Sequence, residues 1–320
     1  MEESRMKILC IGMMVCDNLI SPVPPDILEL DSVRIDKPVV TCGGDALNVA
    51  IGLAKLNCKV AISGWIGDDM NGRFLLRQCQ SYSVDTTAIM VDREYGTAIS
   101  YALIDQHGER HFLSEKAIFA KLTGSDITDQ MINQAEYIYI GSAMAMREMD
   151  RGGIADVFTR AHQMGKVTVM DAAINREDPE RNWLNDLAPA FRETDFFFPS
   201  MEEAAKITGK IEPEKIAGCF QAFGMKGFGI KLGARGCFVT DFKTSRYIRP
   251  PKNMPVVDTT GAGDSFLAGL ISALSKGWDL YEASAFAGCV ATRNVGYTGG
   301  TSGIMNFEDS LRFYQTCKKV

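Results

Sequence analysis

Residues 258–264 read Asp258-Thr259-Thr260-Gly261-Ala262-Gly263-Asp264, and the stretch behind them, 265–276, has the apolar content of a buried helix. The small residues Gly261, Ala262 and Gly263 let backbone N–H groups crowd round a ligand. The helix turns the positive end of its dipole on the same point, so an anion can bind there without a side chain. Asp264 closes the loop. A carboxylate caps a helix start well, and it can also serve as a base beside an anion hole. A plain capped turn would use the same residues, so the loop alone leaves both readings open.

Composition narrows the classes. A chain of 320 residues can bury a large core. Hydrophobic residues make up 46% and charged residues 23%, the balance of a globular protein. The formal net charge of −6 speaks against nucleic acid as a partner, because phosphate backbones call for basic stripes. The nine cysteines are scattered singly with no metal-type spacing, which implies reduced thiols and a cytoplasmic protein. The first residues, MEESRMKILCIG, do not have the pattern of a signal peptide. No window approaches the roughly 18 apolar residues of a membrane span.

Along the chain, residues 7–14 predict a buried first strand, with Asp17 following at its carboxyl end, where open α/β sheets place ligands. Residues 21–42, with four prolines and an alternating segment at 32–36, predict extended structure leaving the main sheet. Gly43-Gly44 opens a helix whose stripe runs Ala46, Leu47, Val49, Ala50, Leu53, Ala54, Leu56. A strand at 59–66, the turn Gly67-Asp68-Asp69 and a helix at 71–82 complete βαβ units of a parallel sheet. Segments 97–105 and 110–114 flank the turn Gln106-His107-Gly108-Glu109 and predict a hairpin. Together with the earlier extended stretch it predicts a lid, formed by about 18–42 and 96–119. Strands are expected at 137–140, 167–171, 196–198, 229–232 and 237–241, and helices at 154–164, 202–208, within 278–294 and at 307–319. The expected fold is α/β: a doubly wound, mostly parallel sheet flanked by helices, one domain over 1–320 with a small β-sheet lid.

Several chemistries are excluded by missing motifs. There is no Gly-x-x-x-x-Gly-Lys-Ser/Thr, and no Gly-x-Gly-x-x-Gly follows the first strand. The three histidines are His107 and His111 in the hairpin and His162 on a helix, where a surface role is expected. Nothing resembles a zinc site or a Ser-His-Asp set. Three glycine-bearing stretches remain. Gly43-Gly44-Asp45-Ala46-Leu47-Asn48 sets two glycines and an amide at a helix start, which suits hydroxyl-rich ligands or simply turns the chain. Gly67-Asp68-Asp69-x-x-Gly72 reads mainly as structural. Lys231-Leu232-Gly233-Ala234-Arg235-Gly236 lies between two short strands, as a hairpin or as a floor under a nucleotide.

Taken together and in this order, these stretches resemble the ribokinase-like (PfkB) family of carbohydrate kinases over nearly the whole chain. The resemblance implies that Asp264 is the general base and that Gly261, Ala262 and Gly263 form the anion hole for the transferring phosphoryl group. It implies that Asp17, Gly43, Gly44 and Asn48 bind sugar hydroxyls, with Asp45 beside them. Lys231, Gly233 and Gly236, with Thr260, match the nucleotide side. Glu203, in Pro199-Ser200-Met201-Glu202-Glu203, takes the place of the glutamate in the family's Asn-x-x-Glu motif, tied to Mg²⁺ through water. Asp258 and Thr260, with residues near 293–296, match a region that binds a monovalent cation, K⁺, in some members. ATP and Mg²⁺ are the implied cofactors, and a homodimer through the lid is the implied assembly, since an exposed small sheet has an edge to pair.

The chain also departs from the family pattern. Ser200 replaces the usual Asn, and Asn57 stands where a small residue is common. Residues 171–176 match Asp-x-Asn-x-Arg only with a one-residue slip, which puts Asn175 and Arg176 in doubt as phosphate contacts. Ribokinases carry Lys where this chain has Asp45, and a second carboxylate near Asp17 disfavours an acidic sugar or sugar phosphate. Lys116-Ala117-Ile118-Phe119 makes the lid more apolar than Gly-Ala-Asn would, a tilt towards a nucleoside base. The expected activity is ATP-dependent phosphorylation of a primary hydroxyl on a small neutral sugar. The alternatives are a nucleoside kinase of the same fold and a non-catalytic sugar-binding regulator.

Overall fold

Alternation along the first strand sets the layering. In β1 (Lys7–Ile11), Leu9 and Ile11 join one buried apolar cluster while Ile8 and Cys10 join another. A strand buried on both faces belongs inside a sheet with helices on each side. The computed structural model describes residues 7–36, 38–107, 110–115, 117–174, 181–251 and 254–318. The next strands are β2 (Val15–Ile20), β3 (Val39–Gly43), β4 (Lys59–Gly67), β5 (Asp85–Asp92), β6 (Ile99–Ile104) and β7 (Arg110–Glu115). After them come β8 (Tyr137–Ala143), β9 (Val167–Ala172), β10 (Phe196–Phe197), β11 (Gly227–Lys231), β12 (Cys237–Thr240) and β13 (Ser245–Ile248).

The main sheet has the order β13-β12-β11-β10-β9-β8-β1-β4-β5. Its pairings are parallel except at the β11–β12–β13 edge, which is antiparallel. From β1 the chain builds outward through β4 and β5, then returns to β8 on the other side of β1. This reversal is the switch point at which open α/β sheets leave a crevice. A second sheet of order β3-β2-β6-β7 stands apart. Among the described residues no helix is long and apolar enough to cross a membrane.

The doubly wound α/β expectation holds, and several details change. Asp17 does not sit at the carboxyl end of a main-sheet strand. The first strand stops at Ile11, and Gly12, at φ 146°, turns the chain into β2, which carries Asp17 in the small sheet. The alternating segment 32–36 forms no strand. Strands β5 and β13 and the helix Pro213–Phe220 were not anticipated. Both strands are sheet edges with largely exposed or half-buried residues, so neither has the continuous apolar run of a central strand. The hairpin expected at 97–114 is present as the antiparallel pair β6–β7, though turn residues Gly108 and Glu109 lie outside the described residues. His162 is half-buried, and its ring nitrogens meet Glu193 at 2.9 Å and Thr168 at 3.2 Å, which ties a helix to the sheet.

Two helices share one face of the main sheet. The helix Asp45–Lys55 and the helix Ala262–Leu274 pack side by side, both against the cluster that contains Leu47, Leu53, Leu267 and Ile271. At their closest approach a Cβ added to Gly52 would lie 2.8 Å from the Cβ of Ala268. Only a residue without a side chain permits that approach. Replacing Gly52 by Val should therefore overpack the contact and lower stability by about 1–3 kcal/mol, read from the urea midpoint. Ala268→Gly in the same chain should recover part of the loss; no recovery would show that the two residues are not the point of contact.

Candidate functional site

The site is built where those two helices begin. Gly44, at φ 85°, precedes the helix Asp45–Lys55, and any side chain there would overlap the Met13 carbonyl. Gly261, at φ 68°, precedes the helix Ala262–Leu274, and a side chain there would overlap the backbone of Gly300. Both turns need glycine for two reasons at once: a left-handed backbone and a close approach. The first N–H groups of a helix lack acceptors of their own, so two helix starts side by side make a region rich in donors.

Asn48 and Asp264 meet in that region. Asn48 Nδ2 donates to Asp264 Oδ2 at 2.8 Å. Burial pushes the Asp264 carboxyl up to about 6; the Asn48 hydrogen bond and the Lys231 ammonium pull the other way, while Asp171 and Glu203 add to the rise. Asp45 is also raised to about 6, by burial and then by the charge of Asp264. One oxygen of Asp45 accepts from its neighbour's backbone at Ala46 N (2.8 Å) and from the hydroxyl of Ser142. Its other oxygen, Oδ2, is buried without a partner among the described residues. The Tyr139 hydroxyl is likewise buried and without a partner, with Asp45, Asp171 and Asp264 as its charged neighbours. Asp17 lies against Gly43, where any side chain would overlap its carboxylate.

Lys231 brings the only ammonium into this set of carboxylates among the described residues. It ends β11, its Nζ meets Asp171 Oδ2 at 2.5 Å, and a Cβ on Gly263 would lie 3.3 Å from that Nζ. Of the stretch 231–236, then, Lys231 reaches the cluster. Gly233 and Gly236 stay at the β11–β12 turn, closed by Leu232 N to Gly236 O at 2.8 Å, with Gly236 packed on the Ile248 carbonyl. Glu203 forms a capping box with Ser200: Ser200 N donates to Glu203 Oε2 at 2.6 Å and Glu203 N donates to Ser200 Oγ at 3.3 Å. Ser200 thus does at the helix start what an Asn would do. Asp258 fastens two loops, accepting from Thr260 N at 2.8 Å and Gly299 N at 2.9 Å.

Three neighbours of this cluster were not singled out by motif. Asp171 is the last residue but one of β9, at the carboxyl edge, where the position of Asp17 had drawn attention to the first strand; the slipped Asp-x-Asn-x-Arg match drew attention past it, to Asn175 and Arg176. Those two residues, like Lys116, lie outside the described residues. Ser142 and Tyr139 belong to β8, which reads as a core strand. Their only sequence signal is closeness to a strand's carboxyl end. Among the described residues no group of three or more His, Cys, Asp or Glu side chains is arranged to hold a metal ion.

Comparison with known proteins places these features. The sequence pattern of the pfkB family carbohydrate kinases matches residues 5–306. The chain is 28% identical to the ATP-dependent ribose-1-phosphate kinase of Halopiger xanaduensis, over 81% of this chain and 82% of that one. It is 28% identical to fructokinase-2 of Oryza sativa (79% and 76% covered) and 25% identical to the ribokinase of Haemophilus influenzae (97% and 99%). Among solved structures, a putative ribokinase II from E. coli in complex with ATP and Mg²⁺ superposes with a TM-score of 0.85 at 20% identity, covering 97% of this chain and 99% of that one. At that identity the likeness speaks for the fold, which is ribokinase-like. With a family pattern that runs over nearly all of its length, this chain belongs to the pfkB family of carbohydrate kinases.

Proposed function

We propose that this protein transfers the γ-phosphoryl group of ATP to a hydroxyl of a small neutral sugar, with Asp264 as the base. The observation that carries this reading is the Asn48–Asp264 hydrogen bond at the paired helix starts. It holds a carboxylate whose proton affinity burial has raised beside a turn, Gly261-Ala262-Gly263, suited to an anion. In the step, the acceptor oxygen forms a bond to the γ-phosphorus while the bond to the β–γ bridging oxygen breaks. The acceptor's proton passes to Asp264, and ADP leaves. Such transfers depend on alignment and charge stabilisation more than on covalent help from the protein.

Asp17, Gly43, Gly44, Asp45 and Asn48 take the acceptor's hydroxyls in this reading. The buried, unpartnered Asp45 Oδ2 and the carboxylate of Asp17 favour neutral hydroxyl donors over an anionic sugar. The relatives divide on this point: one is named for ribose 1-phosphate, another is a fructokinase and a third a ribokinase. Lys231, with Thr260, Gly233 and Gly236, serves the nucleotide side. A Mg²⁺ ion arriving with ATP would be held through water near Glu203, whose charge acts on Asp171, Lys231 and Asp264 in the same cluster. Bound there, the ion would neutralise charge on the phosphate oxygens.

The reading extends to three further points. A monovalent cation would sit near Asp258 and residues 293–296, and exchanging K⁺ for tetramethylammonium in the assay tests it. The exposed Val40, Phe112 and Leu113 of the small sheet support a homodimer formed through that lid; a monomer in solution scattering would overturn it. That none of the nine cysteines is in a disulfide supports a reducing compartment such as the cytoplasm.

An ADP-release assay with ribose, fructose, ribose 1-phosphate, an acid sugar and a nucleoside should give the highest kcat/KM for a neutral sugar. A phosphorylated or acidic acceptor in first place would overturn the role given to Asp45, and a nucleoside in first place would overturn the sugar. Asp264→Asn should lose about 10²–10⁴ in kcat or more, because Asp264 also positions the hydroxyl; ADP release at the wild-type rate would remove it as the base.

The pH dependence has a definite sign. Asp264 must be ionised to accept a proton, and its carboxyl stands at about 6, facing Asn48, Lys231, Asp171, Glu203 and Asp45. The kcat/KM should be level above that value and fall about tenfold per unit below it. A profile still level at pH 4.5 would contradict the assignment.

A further inference from the structure

Lys231 and Asp171 form a buried pair that the phosphoryl-transfer reading does not by itself explain. Lys231 ends β11, Asp171 stands one residue before the end of β9, and β10 lies between those strands. Two strand spacings are about 10 Å, a span that a long lysine stem can cross only when extended over the intervening strand. The pair crosses at the carboxyl edge, immediately beside the anion turn. Asp171 is 2% exposed, and both of its oxygens are occupied: Oδ1 accepts from Ala172 N at 2.9 Å, and Oδ2 from Lys231 Nζ at 2.5 Å. The lysine backbone is fixed as well, donating from Lys231 N to the Pro199 carbonyl at 2.9 Å. Buried ion pairs of this kind are weak contributors to stability, because desolvation offsets the attraction. What such a pair does provide is a cation at a fixed place. Burial pulls the ammonium's proton affinity down, and Asp171, Glu203 and Asp264 more than offset that, so Lys231 stays charged.

We infer that Asp171 is a positioning residue that holds the Lys231 ammonium against Gly263, where it faces the charge of the transferring phosphoryl group and of Asp264. A lysine left free would sample many rotamers of its four-carbon stem. Pinned, it needs no reorganisation when charge develops, and that is where fixed charges have their largest effect on rate. This inference rests on the kinase reading, and it adds a residue that never touches the reacting atoms.

The test combines a mutant cycle with a binding measurement. Asp171→Asn should lower kcat roughly tenfold, a fraction of the about 10²–10³ lost with a whole oxyanion donor, and leave the acceptor KM within about twofold. Measured well above pH 6, where Asp264 is ionised with or without the charge of Asp171, the same substitution in a Lys231→Met background should have almost no further effect. Calorimetric titration of Asp171→Asn should show weaker ATP binding and unchanged adenosine binding, because adenosine carries no phosphate. This arm decides the matter even if Lys231→Met fails to fold. Equal losses in both backgrounds, a wild-type kcat for Asp171→Asn, or ATP and adenosine affinities that fall together would overturn the inference. So would a wild type that binds ATP no more tightly than adenosine. A wild type that binds ATP through Lys231 and Asp171 but transfers to no acceptor would instead overturn the kinase reading and leave the pair standing.

Discussion

The hydrogen bond between Asn48 and Asp264 joins residues 216 positions apart, and the site depends on it. It can form only because two helices run side by side with their starts together. Asn48 and Gly52 are four residues apart on one helix, and Asp264 and Ala268 are four apart on the other. Positions four apart share a helix face, so the hydrogen bond and the Gly52–Ala268 contact are successive rungs of one interface. The apolar rung sets the spacing, and the polar rung above it holds the carboxylate. Both helix starts then aim their donors at the same volume.

Charge is the second constraint. Asp45, Asp171 and Asp264 crowd together, each with its carboxyl raised by burial, against one lysine among the described residues. Such a set stays unfavourable until something shares its protons or its charge. In the proposed reaction an acceptor offering neutral hydroxyls would do the first, and a cation brought with the nucleotide would do the second. Selectivity and catalysis would then be coupled through the same carboxylates, since the charge of Asp264 already raises the carboxyl of Asp45.

The turn at Gly261 has its own support. Asn294 Nδ2 donates to the Gly300 carbonyl at 2.9 Å, and Asn294 Oδ1 accepts from Gly303 N at 2.9 Å, so one buried side chain shapes the 300–303 loop. That loop lies directly on Gly261. Asp258 ties the other side through Gly299 N. The turn at Gly261 is thus braced by the end of the helix Leu280–Asn294 as well as by hydrogen bonds among its own residues.

How much was legible in the sequence depends on which signals are local. Apolar periodicity, the glycine turns and the order of motifs were enough for the α/β class, the parallel sheet, the hairpin and a ribokinase-like resemblance. A helix stripe or a left-handed glycine leaves its mark within a few residues. Edge strands β5 and β13 were not legible, because half-exposed strands lack the apolar run of a buried one. The redirection of Asp17 into the small sheet was not legible either, since it turns on one backbone angle at Gly12. Above all, contacts across the sheet carry no local pattern. The pairing of Lys231 with Asp171 spans 60 positions, and the bond of Ser142 to Asp45 spans 97. The sequence by itself determined which chemical groups the chain possesses and where its glycine turns fall. Only the tertiary structure decided which carboxylates share one lysine, because strand order and helix crossing set those distances.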